Sequence, residues 1–395
     1  MNDFRNTNET IKDTESRRPG ANHPSPCPLP LRGEGSETVS KRPDDQRLGI
    51  LYENDAWLGD LFDELATRSI PYTAIRMDDA ALMLEQPPAY PVVFNRVSPS
   101  SYLRGHGPAI PYARSMLELL SAEGRRVING AVSFSLETSK FAQLLLFKRL
   151  GVRAPRSILF NNRKQIAQLA RAFPFPAILK PNCGGSGALI RLIETYEHLV
   201  SLLNGDLNLF GPDHLLLLQE RLVADDGAVI RAEFIDGQFV YAMRVRATNT
   251  FNLCPADSCV RQVADPMCGD QPHVEFEPYP DIAPAAVAQA RRIVTAANLE
   301  VGGVEFVESG NGTAWFYDIN ATSIYRRDIA DAVGVDAMGK LVDFIERELR
   351  QELLRCSLRA VKPSDAGLPN GAVKDADGST RRAVIARPAR LPYVE

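Results

Sequence analysis

The run VGGVEFVESGNGTAWFYDIN, from Val301 to Asn320, constrains this chain more than any other stretch. Two apolar segments of strand composition, Gly303–Glu308 and Ala314–Ile319, flank Ser309–Thr313, whose Ser-Gly-Asn-Gly-Thr sequence is that of a turn. The pair therefore reads as a β-hairpin. Side chains alternate between the two faces of a strand, so Asp318 and Asn320 point one way and Ile319 points into the core. Pairing brings Glu305 close to them. Two carboxylates and an amide oxygen on one face are hard ligands of the kind Mg²⁺ accepts alongside substrate phosphates. A hairpin whose polar face meets only water has the same alternation, and the motif alone leaves both readings open.

Around this hairpin the 395 residues alternate between strand-like and helix-like segments, enough chain for two or three compact units. Arg47–Tyr52, Tyr72–Arg76, Pro91–Val97 and Arg126–Ile128 read as strands. Helical patterns lie between them at Trp57–Arg68 and Tyr112–Glu123, which predicts an α/β layer structure. A helix over Ser139–Leu150 stops at Gly151. From Ala177 the pattern changes to strands joined by turns: Ala177–Lys180, Ala188–Leu192, Leu215–Glu220, Val229–Ile235 and Gln238–Val245, with Asp236-Gly237 as a two-residue hairpin turn. Helices follow at Pro284–Ala297 and Met338–Leu354. Residues 1–46, polar and Pro-laden, are expected to be disordered, and residues 356–395 to be loosely ordered.

Composition excludes some partners. A net charge of −4 gives no electrostatic footprint for nucleic acid, and no run of about 18 apolar residues suggests a membrane span. The first residues lack a charged-then-apolar leader pattern, which predicts a cytoplasmic protein whose six cysteines are reduced thiols.

Two further motifs carry chemistry. FPAILKPNCGGSGALI is a strand ending in Lys180, then a glycine-rich turn, then a strand. Glycines let backbone N–H groups approach an anion, and a lysine beside them supplies a point charge for phosphate. The spacing is neither that of a P-loop nor that of a dinucleotide fingerprint, since no Gly-Lys-Ser/Thr follows and a strand comes next. An ordinary hairpin loop is the alternative. LLLLQERLV, from Leu215, is an apolar strand ending in Gln219-Glu220 and suits an adenine slot, although many edge strands end in charges.

Taken in order, Lys140 opening a helix, Lys180 before the glycine loop, Gln219-Glu220 at a strand end and Glu305…Asp318-Ile-Asn320 closely resemble the ATP-grasp superfamily, in particular ligases of the RimK and glutathione-synthetase type. The resemblance covers about residues 47–350. It implies an α/β ATP-grasp fold with a Rossmann-like preATP-grasp domain over 47–135, a central subdomain with the flap over 136–214, and a metal-bearing subdomain over 215–355. By the same resemblance Lys140 and Lys180 contact the α- and β-phosphates of ATP, and Gly184, Gly185, Ser186 and Gly187 form the flap. Gln219, Glu220 and Leu222 line the adenine pocket. Glu305, Asp318 and Asn320 hold Mg²⁺ or Mn²⁺. The catalytic candidates are Arg246, near the γ-phosphate and acyl-phosphate, Arg231, which matches a family arginine at the end of Val-Ile-Arg, and Asn252, near a family asparagine in the substrate-and-phosphate loop. The implied reaction is phosphorylation of a small-molecule or peptide carboxylate followed by amine attack, with positioning and charge neutralisation in place of a side-chain nucleophile. Glutamate is one candidate amine. Glutamyl-tail addition to a pterin-type coenzyme, or a non-catalytic ATP-binding regulator, are the alternatives, and similar ligases are commonly dimers or tetramers.

The chain departs from the RimK pattern in two places. Val229 stands where an acidic residue faces the ribose, with Asp225 or Asp226 as substitutes. The metal asparagine is followed by Ala-Thr-Ser-Ile-Tyr-Arg instead of a Pro-Gly segment. Arg326 and Arg327, with Arg96 from the N-terminal strand end, become candidates for a substrate carboxylate, because guanidinium binds carboxylate in a two-pronged fork. Cys254, Cys259, Cys268 and His273 could form a metal site, but their spacing is not that of a zinc ribbon, and reduced cysteines in an active-site loop are preferred. Cys183 reads as a small packing residue.

Overall fold

The computed structural model describes residues 44–205, 210–224, 226–248 and 273–360. The N-terminal extension, Asp225, Asn252, Cys254, Cys259, Cys268 and the chain beyond 360 lie outside them. Within the described residues the fold is α/β, built on three sheets.

The first sheet contains β1 (Leu48–Tyr52), β2 (Tyr72–Arg76), β3 (Val92–Asn95) and β4 (Arg126–Ile128). All its pairings are parallel, in the order β2-β1-β3-β4. The central strands read LGILY and VVFN and are buried almost throughout, as strands covered on both faces must be. Helix α1 (Gly59–Thr67) covers one face, while α2 (Ala109–Ala122) packs on the other. Both begin near, but not at, the residues the periodicity suggests.

The second sheet is antiparallel, in the order β5-β8-β6-β7, with β5 (Ser157–Phe160), β6 (Ala177–Pro181), β7 (Arg191–Ile193) and β8 (Leu216–Glu220). In chain order, α3 (Ala131–Glu137) and α4 (Lys140–Leu150) follow the first sheet and precede the second. Ser139 caps α4 by accepting from the Ala142 N–H, and Gly151 ends it at φ 66°. Helices α5 (Arg163–Leu169) and α6 (Tyr196–Asn204) pack their apolar faces on this sheet. The sequence reading assigned no element at α5, and α6 lies where strands and turns were expected.

The third sheet has the antiparallel order β11-β10-β9-β12-β13, from β9 (Val229–Ile235), β10 (Gln238–Thr248), β11 (His273–Pro278), β12 (Val301–Glu308) and β13 (Ala314–Asn320). Asp236 and Gly237 both have positive φ, 54° and 67°, as a two-residue turn matched to strand twist requires. Helix α7 (Pro284–Ala296) covers one face together with α4. After a short α8 (Arg327–Ala332), the long α9 (Ala337–Ala360) packs Leu341 and Ile345 into a core shared by Leu48 and Ile50 of the first sheet and Met243 and Val245 of the third. This helix continues past Leu354, where its apolar pattern suggested an end. No helix among the described residues is long and apolar enough to cross a membrane.

Candidate active site

The hairpin forms as its sequence requires, with one irregularity that matters. Glu305 stands opposite Asp318 and Gly303 opposite Asn320, but the register shifts between Glu305 and Phe306 so that Tyr317 is an extra residue. A bulge of this kind re-aims side chains. Both Tyr317 and Asp318 border the same cavity, and the Tyr317 hydroxyl donates to Glu305 Oε2 at 3.0 Å. Asn320 Nδ2 donates to Glu305 Oε1 at 3.0 Å, while Ile319 is buried in the core below.

Arg231 of β9 holds this group from behind. Its Nε donates to Glu233 (2.6 Å), its Nη1 to Glu305 (3.1 Å) and its Nη2 to the Ser323 hydroxyl (2.7 Å). The requirement for glycine at 303 follows. A Cβ there would come within 2.8 Å of the Glu233 carboxylate and 2.9 Å of Arg231 Nε. Burial pushes the Glu305 carboxyl above its ordinary range, and the Arg231 charge opposes that shift.

The two lysines reach the hairpin from separate elements. Lys140, first residue of α4, places Nζ 2.7 Å from Asp318 Oδ2. Lys180, near the end of β6, is buried with its Nζ over the Tyr317 ring at 5.7 Å from the centroid. Burial, and then the neighbouring Lys140 charge, push the Lys180 ammonium down to about 7, against the pull of Asp318 and Glu305. Asn182 couples the lysines. Its backbone carbonyl accepts from the Lys140 N–H and its side-chain oxygen from the Phe141 N–H.

Beyond Asn182 the glycine turn lies over the same space. Ser186 and Gly187 take positive φ, and Gly185 approaches so close to Ser100 of the first sheet's loop that a Cβ would touch the Ser100 side chain at 3.4 Å. Cys183 is buried against the first sheet's core, and burial pushes its thiol up to about 12, which suits packing and not nucleophilic attack. Lys140, Lys180, Glu305, Asp318, Asn320 and Gly184–Gly187 all border one cavity of about 110 Å³.

A profile of the RimK-like ATP-grasp domain matches residues 137–254, the span from the end of α3 through the glycine turn and past β10. A probable alpha-L-glutamate ligase of Thioalkalivibrio sulfidiphilus is 27% identical over 243 residues, 60% of this chain and 73% of that one. Among solved structures, the ATP-grasp ligase PsnB, complexed with a phosphomimetic variant of its minimal precursor, Mg and ADP, superposes with TM-score 0.55 at 19% identity, over 78% of this chain and all of that one. Residues 137–254 form an ATP-grasp domain of the RimK type. A D-alanine–D-alanine ligase from Bacillus anthracis also shares the fold, with TM-score 0.56 at 14% identity over 78% and 99% of the two chains. ATP-dependent carboxylate–amine ligation is the reaction class of this RimK-type chain.

The remaining residues singled out in the sequence do not all meet at the ATP-grasp cavity. Arg231 borders it; Arg246, Gln219, Glu220 and Leu222 do not. The Arg246 guanidinium pairs with Glu277 and Asp226 on the sheet surface. Asp226 is engaged with Arg244 and Arg246, and its Oδ1 accepts from the Ala228 N–H. Gln219 and Glu220 are tied to β5 and its approach, Gln219 Nε2 donating to Ser157 and Glu220 Oε2 accepting from the Arg156 N–H. Arg96, Arg326 and Arg327 border a second, larger cavity of about 510 Å³. Arg326 stacks on the Phe276 ring and forks onto Asp328, and the exposed Arg327 faces Asp60 at 3.6 Å. His273 pairs with Glu275.

Besides Tyr317, Trp57 and Glu137 border this site without having been singled out in the sequence. Trp57 borders both cavities and lies under the Arg104 guanidinium, 4.7 Å from the ring centroid, and Arg104 is in turn paired with the fully buried Glu53. Glu137, the last residue of α3, borders the smaller cavity. Its only sequence signal is a carboxylate three residues before Lys140.

Proposed function

We propose that this ligase phosphorylates a substrate carboxylate with ATP and joins it to the amine of an amino acid, glutamate being the first candidate. The observation that carries this reading is the convergence of two lysines, two carboxylates, an amide and a glycine turn on one cavity. The named glutamate-ligase relatives favour an amino acid as the amine, and they do not favour the coenzyme-tail or non-catalytic alternatives.

The donor set fits Mg²⁺, or Mn²⁺, held jointly with nucleotide. Among the described residues no three of His, Cys, Asp and Glu converge as a self-sufficient metal cage. Glu305, Asp318 and Asn320 supply oxygen donors and would leave the remaining positions to phosphate oxygens and water, the usual arrangement for Mg²⁺. When bound, the cation would neutralise charge on the transferring phosphoryl group. Lys140 would exchange its Asp318 partner for phosphate, and Lys180 would become charged as an anion reaches it. The glycine turn would offer backbone N–H groups and exclude water. Arg231, committed to Glu233 and Glu305, would hold the metal carboxylate in place. The second cavity, continuous in its walls with the first through Trp57 and Ile324, would receive the substrates.

The test is release of ADP and phosphate by the full-length protein supplied with Mg·ATP, amino acids and a panel of carboxylates. Turnover that needs both a carboxylate and an amine supports the ligase. Tight Mg·ATP binding with no turnover on any metabolite pool would instead favour a regulatory ATP-binding protein.

A further inference from the structure

Two buried charged side chains beside this site, Arg96 and Glu137, keep hydrogen-bonding atoms without a partner among the described residues. Arg96 follows β3 and is 6% exposed, yet its only hydrogen bond among the described residues runs from Nη2 to the Thr322 carbonyl at 3.4 Å. Its Nε and Nη1 have no partner there. Glu137, 3% exposed, accepts through Oε1 from the Ala321 N–H (3.0 Å) and the Thr322 hydroxyl (2.8 Å), while its Oε2 has no partner. A guanidinium that lies over the Phe94 ring at 5.4 Å and a carboxyl that burial pushes up to about 7 thus sit on either side of one residue, Thr322, each with idle hydrogen-bonding atoms. They feel each other electrostatically without hydrogen bonding. Leaving either group desolvated and unpaired is costly, so a partner for both is expected in the working complex.

The two residues border different spaces, while their idle atoms lie just beneath the cavity walls. Glu137 borders the cavity of the lysines and the hairpin carboxylates, and Arg96 borders the larger cavity. Trp57 and Ile324 wall both. A ligand that met both groups would need an anionic fork for the guanidinium and, within the span of one residue, a cation for the carboxylate. An α-amino acid zwitterion has both. Its ammonium would lie on the side where phosphate chemistry is placed, and its carboxylate would point away from it.

From this geometry we infer that Arg96 and Glu137 are the recognition pair for the amine substrate, Arg96 receiving the α-carboxylate and Glu137 the α-ammonium of a free amino acid. The inference rests on the ligase reading and deepens it by assigning the two ends of one substrate. The pair selects free α-amino acids over amines that lack a carboxylate and over peptides blocked at nitrogen. Thr322 is a positioning residue that holds both charged groups at once.

The experiment is calorimetric binding to the full-length protein saturated with Mg·AMPPNP. The ligands are the twenty L-amino acids, each compared with its decarboxylated amine and its N-acetyl derivative. At least one amino acid should bind, with either derivative about 10- to 100-fold weaker, the worth of one charge-assisted contact. Arg96→Met should erase the penalty for decarboxylation and keep the penalty for acetylation. Glu137→Gln should do the reverse. Arg96→Lys, which keeps the charge, serves where the methionine variant does not bind nucleotide.

Outcomes separate cleanly. Absence of Mg·AMPPNP binding by the unaltered protein would overturn the ligase reading itself. Nucleotide binding without any amino-acid binding, or amino-acid binding whose two penalties survive both substitutions, would overturn the recognition pair and leave the ligase standing.

Discussion

Arg231 and Arg96 are alike in burial and opposite in what meets them. Arg231, 4% exposed, spends its donors on Glu233, Glu305 and Ser323, and those bonds push its guanidinium further up even against the cost of burial. Arg96, 6% exposed, has one long bond to a carbonyl, and burial depresses its guanidinium. The first is part of the frame that holds Glu305, the proposed metal carboxylate. The second is a receptor waiting for an anion. A buried charge with each nitrogen bonded tells of architecture, and one with nitrogens idle points to a ligand.

The largest test of that contrast is thermal. Arg231→Met strands two carboxylates in a dry interior and should cost about 3–5 kcal/mol, whereas Arg96→Met removes an unmatched charge and should cost less than about 1 kcal/mol. Equal losses in a denaturant titration would break the comparison. Next comes Asp318→Asn, which removes the shared partner of Lys140 and of the proposed metal. Turnover should fall at least about 100-fold with cooperative unfolding retained, as expected when several kcal/mol of metal-assisted stabilisation is lost. Full activity in that variant would remove Asp318 from the metal set.

A subtler probe acts on the frame alone. Gly303→Ala forces a methyl group against the Arg231–Glu233 pair and should destabilise by about 1–3 kcal/mol, the range for overpacking. Unchanged stability would mean that the pair moves freely, contrary to a rigid frame.

The smallest effect is set by pH. Burial and the Lys140 charge push the Lys180 ammonium down to about 7, and it must be charged to meet phosphate, so binding takes up a proton above that pH. AMPPNP affinity, measured with the metal saturating, should then fall by up to about tenfold per pH unit above 7. Below 7, where Lys180 is already protonated, its contribution should flatten. Lys180→Arg, charged throughout, should remove the slope; a slope that persists would mean another group titrates.

Much of this was readable along the chain. The hairpin, the helix opened by Lys140 and the Asp236-Gly237 turn are local features, and propensity and alternation act locally. Helix α6 was not seen because a strand-and-turn neighbourhood hid its Thr195 cap and its Leu199 and Leu203 spacing. The bulge at Tyr317 was equally hidden, since one extra residue in a strand leaves no compositional mark. Of the binding residues inferred by resemblance, those carrying opposite charges at short range came together in one cavity. Arg246, on an exposed strand position, found surface carboxylates instead.

The order of chemical groups along the chain was enough to establish the kind of chemistry: lysine, lysine and glycine turn, then acid, acid and amide. Which charges are satisfied and which are idle was decided only by the tertiary structure. Arg96 and Glu137 meet Thr322 across 226 and 185 residues, separations over which no spacing rule operates. Hydrogen-bond satisfaction depends on distances of a few tenths of an ångström between elements brought together by packing. A sequence can state that a charge exists, but packing determines whether it has a partner.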